Sequence, residues 1–451
     1  MTQSNRVLVL GGGIAGITSA YALAKLGFET TVLERHRYPA METSFANGGQ
    51  LSASNAEVWT HPSTMLKAMR WMFRPDAPLL LHPWPSWHKL RWFAEFLANM
   101  PKYRDNTIET VRLAVAAREH LFAWAREEGI DFDLERRGIL HVYRDKQGFD
   151  HAASVSKLLE QGGLHRQAVT EAEIKAIEPA LVGKFYGGFY TESDSTGDIH
   201  RFTLGLARAA QARGVCLRTE CQVQDLGADA KSAWVELASG ERIEADALVI
   251  CAGVESGALA SKLGDRINVY PVKGYSITLE LDEPESQRAA PWVSLLDDAC
   301  KLVSSRLGRQ RFRVAGTAEF NGYNRDIRAD RIAPLVAWVK QCFPAVSTRQ
   351  VVPWAGLRPM MPDMMPRVSQ GSRPNVFYNT GHGHLGWTLG AITAATGSAS
   401  HCNAAFQSRA LEPLRDGQLT LIQMLGKLCK AQPPRRLQAI SFKLSFLRPQ
   451  P

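Results

Sequence analysis

The stretch VLVLGGGIAG, residues 7–16, decides the fold of this chain. It is a short apolar run that closes on three glycines with the spacing G-x-G-x-x-G, and a helical pattern follows over residues 14–26. A second apolar run, TTVLE, ends on the acid Glu34. Such glycines permit a tight turn and a close approach of the backbone to a pyrophosphate, while the helix N-terminus offers unpaired N–H groups to the phosphates. The order of strand, glycine turn, helix, strand and acid predicts a dinucleotide site.

This first unit supplies a set of candidate cofactor residues. They are Val7, Leu8, Val9, Leu10, Gly11, Gly12, Gly13, Ile14, Ala15, Gly16, Ile17, Thr18, Ser19, Ala20, Tyr21, Glu34 and Arg35. Glu34 lies 23 residues after Gly11, near the spacing of about 20 expected for a carboxylate that accepts a hydrogen bond from a ribose hydroxyl. An acid at this place disfavours a 2′-phosphate, and hence NADP, but it suits NAD and FAD equally.

The composition is that of a soluble globular protein, with 45% hydrophobic and 22% charged residues among 451. At roughly 100–200 residues per domain, this length allows two or three domains. No run of about 18 uncharged apolar residues is present, so we expect no membrane-spanning helix. The first strand begins within a few residues of Met1, which leaves no room for a signal peptide, and we expect a cytoplasmic protein.

Neither metal binding nor nucleic-acid binding is expected. The seven cysteines are scattered, without C-x-x-C or a Cys/His cluster, and indicate reduced thiols rather than ligands. Six of the nine net positive charges come from residues 401–451, which hold eight Lys/Arg against two Asp/Glu. The rest of the chain is nearly balanced in charge and contains no basic helix with interleaved aromatic residues.

The two ends of the chain have the patterns of a dinucleotide domain, whereas the middle has not. Residues 375–396 have the pattern of a strand, a glycine turn and a helix, and residues 244–253 that of a strand ending on glycine. Residues 268–282, 291–306 and 311–320 alternate apolar and polar with a period near two, which is typical of antiparallel strands. We therefore predict an α/β fold, in which both ends build a Rossmann-like cofactor domain and an α+β substrate domain with an antiparallel sheet is inserted. The predicted segments are 1–60 (cofactor domain), 61–195 (mostly substrate domain, with a helical insert), 196–265 (cofactor domain), 266–350 (substrate domain), 351–400 (cofactor domain) and 401–451 (a divergent basic tail).

Four further motifs accompany the first glycine turn: ETSFANGGQLS (42–52), YPVKGYSITLE (270–280), WAGLRPMMPD (354–363) and NTGHGHLGWT (379–388). Together they resemble the motifs of the FAD-dependent D-amino acid dehydrogenases of the small-subunit type, the bacterial, quinone-coupled members of the D-amino acid oxidase superfamily. The resemblance extends over residues 6–396. It implies a cofactor domain of the glutathione-reductase-2 type that holds FAD without a covalent bond. It also implies that D-amino acids, D-alanine-like and broad in range, are oxidised by hydride transfer from Cα to N5 of FAD, with release of a 2-oxo acid and ammonia.

The resemblance assigns a second set of residues to the flavin and to the rest of the cofactor. They are Ser44, Asn47, Gly48, Gly49, Gln50, Leu51, Val223, Gly253, Gly381, His382, Gly383, Leu385, Gly386, Trp387 and Thr388. Small residues suit this contact, because a flat ring is approached only where Cβ bulk is absent. Residues 381–388 open a helix, whose N-terminus stabilises the negative charge that develops at the N1/C2=O side of the flavin. Val223 is equally well explained as a core valine.

Two residues are catalytic candidates on the substrate side. Arg358, in GLRP, is the best candidate to hold the substrate carboxylate, because a guanidinium makes two charge-assisted hydrogen bonds; a structural salt bridge is the alternative. Tyr275, in KGYS, is expected to lie on the sheet facing the flavin, where it caps the carboxylate or walls the pocket; a core tyrosine is the alternative. His61, His382 and His384 fall near the site as loop histidines, and His382 is also a candidate to orient the flavin edge.

Reduced flavin must pass its electrons on, and the resemblance favours a quinone or a respiratory carrier over oxygen. The stretch 59–100 holds five of the eleven tryptophans among prolines and basic residues, which favours peripheral contact with the inner face of the cell membrane. These tryptophans are Trp59, Trp71, Trp84, Trp87 and Trp92. The alternative is that they fill the core or cover the flavin.

Two other functions remain open, and a third is disfavoured. Oxidation of glycine, sarcosine or hydroxyproline uses the same scaffold, although the cysteine that tethers flavin in some sarcosine oxidases has no counterpart in WAGLRPMMPD. A flavin-binding protein inactivated by its altered C-terminus is the second, since the resemblance fades after about Ala395. An NAD-dependent dehydrogenase is disfavoured because no second Rossmann unit is evident in the sequence.

Overall fold

The computed structural model describes residues 5–61 and 78–395. Its strands are β1 (Arg6–Leu10), β2 (Glu29–Leu33), β3 (Gln50–Leu51), β4 (Leu79–Leu81), β5 (Ile139–Tyr143), β6 (Gln167–Val169), β7 (Gly187–Thr191), β8 (Ser195–Thr196), β9 (Cys216–Arg218), β10 (Val223–Ala228), β11 (Ala233–Leu237), β12 (Arg242–Ala245), β13 (Ala247–Ile250), β14 (Tyr270–Glu280), β15 (Ser294–Asp297), β16 (Leu302–Leu307), β17 (Arg311–Phe320), β18 (Val351–Met360), β19 (Arg367–Gln370) and β20 (Val376–Thr380). Its α-helices are α1 (Ile14–Lys25), α2 (Trp87–Ala98), α3 (Tyr103–Glu127), α4 (Lys146–Gln161), α5 (Glu171–Ile177), α6 (Ile199–Ala212), α7 (Ser256–Lys262), α8 (Pro284–Ala289), α9 (Ala329–Cys342) and α10 (Gly386–Ala394).

Both ends of the chain contribute to one six-stranded sheet, whose order is β19-β20-β13-β1-β2-β9. The strands from β20 to β9 are parallel to their neighbours, and β19 joins the edge antiparallel. Val7 and Val9 of β1 pack into the helical core on one face, whereas Leu8 and Leu10 pack on the other face against the small sheet β10-β11-β12. Burial on both faces explains the continuous apolar run in the sequence. The predicted α/β fold, with a Rossmann-like domain built from both ends, is confirmed.

The middle of the chain forms a second, nine-stranded sheet of order β18-β14-β17-β16-β15-β5-β7-β6, with β4 beside β17. Helix α9 covers one face, where Ile277 and Leu279 of β14 pack with Leu335. Successive side chains of a strand point to opposite faces, so the even-numbered residues of β14 point the other way. There the hydroxyl of Ser276 donates to the carbonyl oxygen of Ala46 (2.7 Å), which belongs to the cofactor domain. This second face of the nine-stranded sheet therefore borders the space between the domains.

Strand β18 corrects a predicted domain boundary. It pairs with β14 from Val351 to Met360, so the substrate sheet continues to Met360 and the last cofactor segment does not begin at residue 351. Alternation in a sequence identifies a strand but not its partner, and the partner of β18 lies far back in the chain. The predicted strand 291–306 is likewise two paired strands, β15 and β16.

Helix α3 refines the segment 61–195, which was predicted to be mostly substrate domain. Its residues Leu121, Trp124 and Ala125 belong to the core of the cofactor domain, beside α1 and α6. The helix joins the domain that it packs on rather than the domain that follows it in the chain. The predicted tail 401–451 lies outside the described residues.

A buried carboxylate joins the loop after β3 to α3. Asp194 is fully buried, and its side chain accepts hydrogen bonds from the backbone N–H groups of Ala53 and Ser54, both at 3.1 Å. It also forms an ion pair with Arg118 of α3, whose side chain is only 10% exposed. Because a buried charge requires a partner, these contacts fix the loop in place.

We expect Asp194→Ala to lower the free energy of unfolding by about 3–5 kcal/mol, because Arg118 is then left charged and unpaired inside the protein. Urea unfolding followed by circular dichroism measures this loss. The control is Asp150→Ala, which removes one partner of the exposed pair with Lys146 and is expected to leave the unfolding curve nearly unchanged. Equal losses in the two variants would contradict the role of Asp194.

Candidate functional site

A cavity of about 670 Å³ runs between the two sheets, and this volume is within the range of about 300–1,000 Å³ that small-molecule sites have. The turn between β1 and α1 lines one end, and β14 and β18 line the other. The predicted site residues that border it are Leu10, Gly11, Gly13, Ile14, Ala15, Glu34, Arg35, Ser44, Asn47, Gly48, Gly49, Gln50, Val223, Gly253, Tyr275, Arg358, Gly381, His382, Gly383, Leu385, Gly386, Trp387 and Thr388. Residues from both ends of the chain and from the inserted domain thus meet in one cleft.

The remaining predicted cofactor residues do not border this cavity. They are Val7, Leu8, Val9, Gly12, Gly16, Ile17, Thr18, Ser19, Ala20, Tyr21 and Leu51. Only the end of β1 and the first turn of α1 face the cleft, because the rest of both elements packs in the domain core. Gly16 acts indirectly: a Cβ there would lie 1.8 Å from the carbonyl oxygen of Gly11, so glycine lets α1 lie directly on the turn.

The turn between β1 and α1 is shaped for an anion. Gly11 has a left-handed backbone (φ +103°), and a Cβ on it would lie 2.7 Å from the carbonyl oxygen of Cys251. A Cβ on Gly13 would meet only the hydroxyl of Ser44, at 3.6 Å, so this side of the turn is open. The backbone N–H of Ile14 donates to that hydroxyl (3.1 Å). The first N–H groups of a helix carry partial positive charge, so the opening suits a pyrophosphate.

The acid Glu34 is held rigidly beside this turn. It is 6% exposed; its Oε2 accepts from the N–H of Gly12 (2.5 Å), and its Oε1 accepts from a second backbone N–H (2.9 Å). Each carboxylate oxygen has a further lone pair, which suits a ribose hydroxyl. Arg35 borders the same end of the cavity, but its guanidinium pairs with Glu42 (2.5 Å) and Glu255 (3.3 Å). The charge of Arg35 is therefore balanced within the protein.

The loop over residues 44–51 packs on the second sheet and leaves one buried polar atom without a partner among the described residues. A Cβ on Gly48 would lie 2.8 Å from a side chain of β16, so this loop packs closely on the second sheet. The side-chain amide of Gln50 donates to the carbonyl oxygens of Leu295 (2.9 Å) and Ser304 (3.2 Å). Its Oε1 is buried and has no hydrogen-bond partner among the described residues. A ring N–H or a ribityl hydroxyl of a bound flavin would supply the missing donor, so the loop fits the group.

The histidines near the second glycine turn are uncharged at neutral pH. Nε2 of His382 lies 2.9 Å from a hydroxyl of α10. His384 stacks on Trp59, with ring centroids 5.0 Å apart, and its Nε2 lies 3.2 Å from the carbonyl oxygen of Asn55. Burial lowers the pKa of each histidine to about 4. Both therefore shape the wall of the cavity, on which His61 also lies, rather than exchange protons.

Arg358 brings an unbalanced positive charge into the cavity. It pairs with Val272 across β18 and β14, next to the pair of Gly356 with Gly274. A Cβ on Gly274 would lie 2.3 Å from Nη1 of Arg358, so only glycine leaves room for the guanidinium. Nη1 donates to the carbonyl oxygen of Thr317 (3.0 Å), and no carboxylate of the described residues pairs with it. Burial lowers the pKa of Arg358 to about 10. A buried charge without a counter-ion is costly, and the site therefore favours an anion.

Tyr275 borders the cavity, but its ring lies on the face of β14 opposite to the guanidinium of Arg358, which corrects the expected orientation. It follows Gly274 in β14 and so points to the opposite side of the sheet. Its ring is 1% exposed, and its hydroxyl donates to Oε2 of Glu319 (2.8 Å). Nζ of Lys273, two residues earlier on the same face, lies 5.2 Å from the centre of the Tyr275 ring. The side chain is that of a core tyrosine, because the register of β14 gives the inward face to Gly274.

Sequence reasoning missed a second polar group at the cavity. His141 and Tyr143 of β5 border it together with Arg166, and Nε2 of His141 lies 2.9 Å from the hydroxyl of Ser54. Burial, with a contribution from the charge of Arg166, lowers the pKa of His141 well below its usual value. In the run GILHVYR (residues 138–144), strand alternation puts His141 and Tyr143 on one face. Nothing in the run shows that this face borders a cavity.

Comparisons with known proteins agree with this geometry. The family model described as FAD dependent oxidoreductase matches residues 6–397. The "D-amino acid dehydrogenase 3" of Mesorhizobium japonicum is 60% identical over 392 residues, which cover 86% of this chain and 95% of that protein. The D-amino acid dehydrogenase of Paramagnetospirillum magneticum is 43% identical over 392 residues, covering 85% of this chain and 92% of the relative.

Among solved structures, the glycine oxidase of Geobacillus kaustophilus has a TM-score of 0.67 at 21% identity, covering 86% of this chain and 93% of that one. At this identity the likeness shows the fold alone. The family match shows more than the fold, because its span contains both sheets and all the cavity residues described above. The chain is therefore an enzyme of the FAD-dependent oxidoreductase family, and FAD is its cofactor.

Proposed function

We propose that this enzyme is a D-amino acid dehydrogenase, which oxidises D-amino acids to 2-oxo acids and ammonia. The observation that supports this most is the unbalanced charge of Arg358 in the cavity, because a substrate carboxylate is the counter-ion that such a site requires. The names of the two relatives favour the same class of substrate here.

In this proposal the residues of the chain position the substrate. Arg358 holds its carboxylate, and the glycine pair Gly274 and Gly356 leaves the room that the Arg358 guanidinium and the Trp354 ring occupy beside it. FAD, when bound, supplies the acceptor for the hydride that leaves Cα. The substrate amine must first lose a proton, and His382 and His384, with pKa values of about 4, are too weak as bases to take it. We expect that proton to pass to water, and a second water to hydrolyse the imino acid to the 2-oxo acid and ammonia.

The first test is reduction of the purified flavoprotein under nitrogen. We expect D-alanine to bleach the visible absorbance of the flavin and L-alanine to leave it unchanged, because only one enantiomer presents its Cα hydrogen to the ring while Arg358 holds its carboxylate. Glycine, sarcosine and hydroxyproline are included because they are substrates of related oxidations. Bleaching by one of these three and by no D-amino acid, or no bleaching at all, would refute the proposal.

The second test compares two variants of neighbouring strands. We expect Arg358→Met to lower kcat/KM for D-alanine by about 30- to 1,000-fold, mainly through KM, since truncating one partner of a buried charge pair costs about 2–4 kcal/mol. Tyr275→Phe is the control, because its hydroxyl bonds Glu319 on the other face of the sheet; we expect kcat/KM within about threefold of wild type. A large loss in Tyr275→Phe with little loss in Arg358→Met would reverse the assignment.

We also propose that the electrons pass to a quinone or a respiratory carrier at the inner face of the cell membrane. The structure divides the tryptophan-rich stretch 59–100 into parts with different roles. Trp92 is buried in the core, and Trp59 borders the cavity. For these two tryptophans, a place in the core or at the cavity is therefore a better description than contact with a membrane. Trp71 lies outside the described residues. In the described ranges 5–61 and 78–395, no helix combines the length and the apolar character needed to cross a bilayer.

Two tryptophans and one face of α2 support membrane contact. Trp84 and Trp87 are 75% and 85% exposed, and Leu90 and Leu97 are exposed further along the same helix. Exposed tryptophan and leucine side chains favour the headgroup region of a membrane. The contact surface proposed here is therefore the segment 84–97 rather than the whole stretch.

We expect the wild-type protein to partition partly with vesicles of anionic bacterial lipid and to be released by high salt. In Trp84→Ser/Trp87→Ser the partition coefficient should fall by at least about tenfold, because two apolar side chains no longer enter the interface. Val182→Ser, which removes a half-exposed apolar side chain elsewhere, is the control and should not change partitioning. Co-sedimentation that is insensitive to salt and to the double substitution would exclude this surface.

A further inference from the structure

A second arginine borders the cavity that holds Arg358. The part of the cavity around it, here the distal lobe, is lined by His141, Tyr143, His151, Arg166, Asp298 and Lys301. Arg166 is 7% exposed. Its Nη2 donates to the hydroxyl of Tyr143 (3.3 Å), and its guanidinium lies 4.9 Å from the centre of the Phe189 ring. Its Nε is buried without a hydrogen-bond partner, and no carboxylate pairs with it, among the residues that the structure describes.

The other charged groups around the distal lobe already have partners. Lys301 forms an ion pair with Asp298. Glu57, which also borders the cavity, accepts a hydrogen bond from a tyrosine hydroxyl at 2.6 Å. The pKa of His141 is lowered well below its usual value, so this ring is neutral. Among the described residues, Arg166 is thus the cation of the lobe that has no carboxylate partner.

A row of polar groups in the cavity wall leads from one arginine towards the other. The pKa of His384 is lowered by burial and also by the charge of Arg358, and its Nε2 lies 3.2 Å from the carbonyl oxygen of Asn55. The preceding residue is Ser54, and its hydroxyl lies 2.9 Å from Nε2 of His141 in the distal lobe. His141 is close enough to Arg166 that the guanidinium charge, besides burial, lowers the pKa of the His141 ring. Asn55 and Ser54 therefore provide a polar path that leads from the surroundings of Arg358 towards Arg166.

We infer that the distal lobe binds the side-chain carboxylate of a dicarboxylic D-amino acid, with Arg166 as its counter-ion. The hydroxyl of Tyr143 accepts from Arg166, which leaves its own hydrogen free to donate to a carboxylate oxygen. This inference rests on the proposed oxidation of D-amino acids and adds a preference for an acidic side chain over an uncharged one of the same size. The physical reason is that an uncharged side chain leaves the buried guanidinium unpaired.

The wild-type enzyme with D-glutamate and D-glutamine provides the first test, because these substrates have nearly the same shape and differ in charge. We expect kcat/KM to be at least about tenfold higher for a dicarboxylic substrate than for its amide. A series of D-aspartate, D-glutamate and D-2-aminoadipate, each beside its amide, finds the chain length that spans the two arginines. If D-alanine reduces the flavin but no acid in the series exceeds its amide, this inference is overturned and the proposed function stands. If no D-amino acid reduces the flavin, the proposed function fails and the inference fails with it.

Variants of Arg166 provide the second test, with flavin content measured for each. We expect Arg166→Met to lower kcat/KM for the best dicarboxylic substrate by about 30-fold or more, while the value for D-alanine stays within about threefold. Arg166→Lys should recover part of the preference for the acid. The control Asp298→Asn/Lys301→Met removes a charge pair of the same lobe without changing the net charge, and it should keep the preference.

Equal losses for D-alanine and for the dicarboxylic substrate in Arg166→Met, with normal flavin content, would show a purely structural arginine and overturn the inference. If Arg166→Met does not fold, Arg166→Lys and the comparison of acid with amide in the wild type decide the question. Loss of the preference in the charge-neutral control but not in Arg166→Met would also overturn it.

Discussion

The site is organised around a guanidinium that has no counter-ion among the described residues. The guanidinium of Arg358 borders the cavity, and desolvation, which disfavours its charge, lowers its pKa to about 10. The neighbouring strand makes room with Gly274, where any side chain would collide with the guanidinium. In the proposed function, the cost of that desolvation is met when the protein folds, and the substrate carboxylate meets a guanidinium that is already in place. Such preorganisation is what converts a structural cost into affinity and orientation.

In the proposed function, oxidation requires the flavin to face the substrate that Arg358 holds. The cofactor end and the substrate end of the cavity belong to different sheets. The turn at Gly11 and the acid Glu34 belong to the parallel sheet, whereas Arg358 belongs to the nine-stranded sheet. The loop over residues 44–54 crosses between them. Its Gln50 bonds the second sheet, and Asp194 holds its end against α3. This loop therefore joins the two sheets beside the cavity.

The parts of the site that could be predicted from the sequence are those that form locally. The turn at Gly11 follows from a strand, three glycines and a helix that are adjacent in the chain. Tyr275 could not be oriented in this way, because alternation places it opposite Gly274 without showing which face α9 covers. Arg166 has no sequence signal, since it stands before the three-residue strand β6 and reaches the cavity only through the folding of the sheet. The partner of β18 was likewise hidden, because strand pairing joins segments that are far apart in the chain.

The most direct measurement of the central claim is a titration of the oxidised flavoprotein with propanoate, which has the carboxylate of alanine but no amine to oxidise. Difference spectra of the flavin report its binding, and competition with D-alanine shows whether the two share a site. We expect saturable, competitive binding that is weakened by at least about tenfold in Arg358→Met. Equal binding to the wild type and to Arg358→Met, or binding that does not compete with D-alanine, would contradict the account.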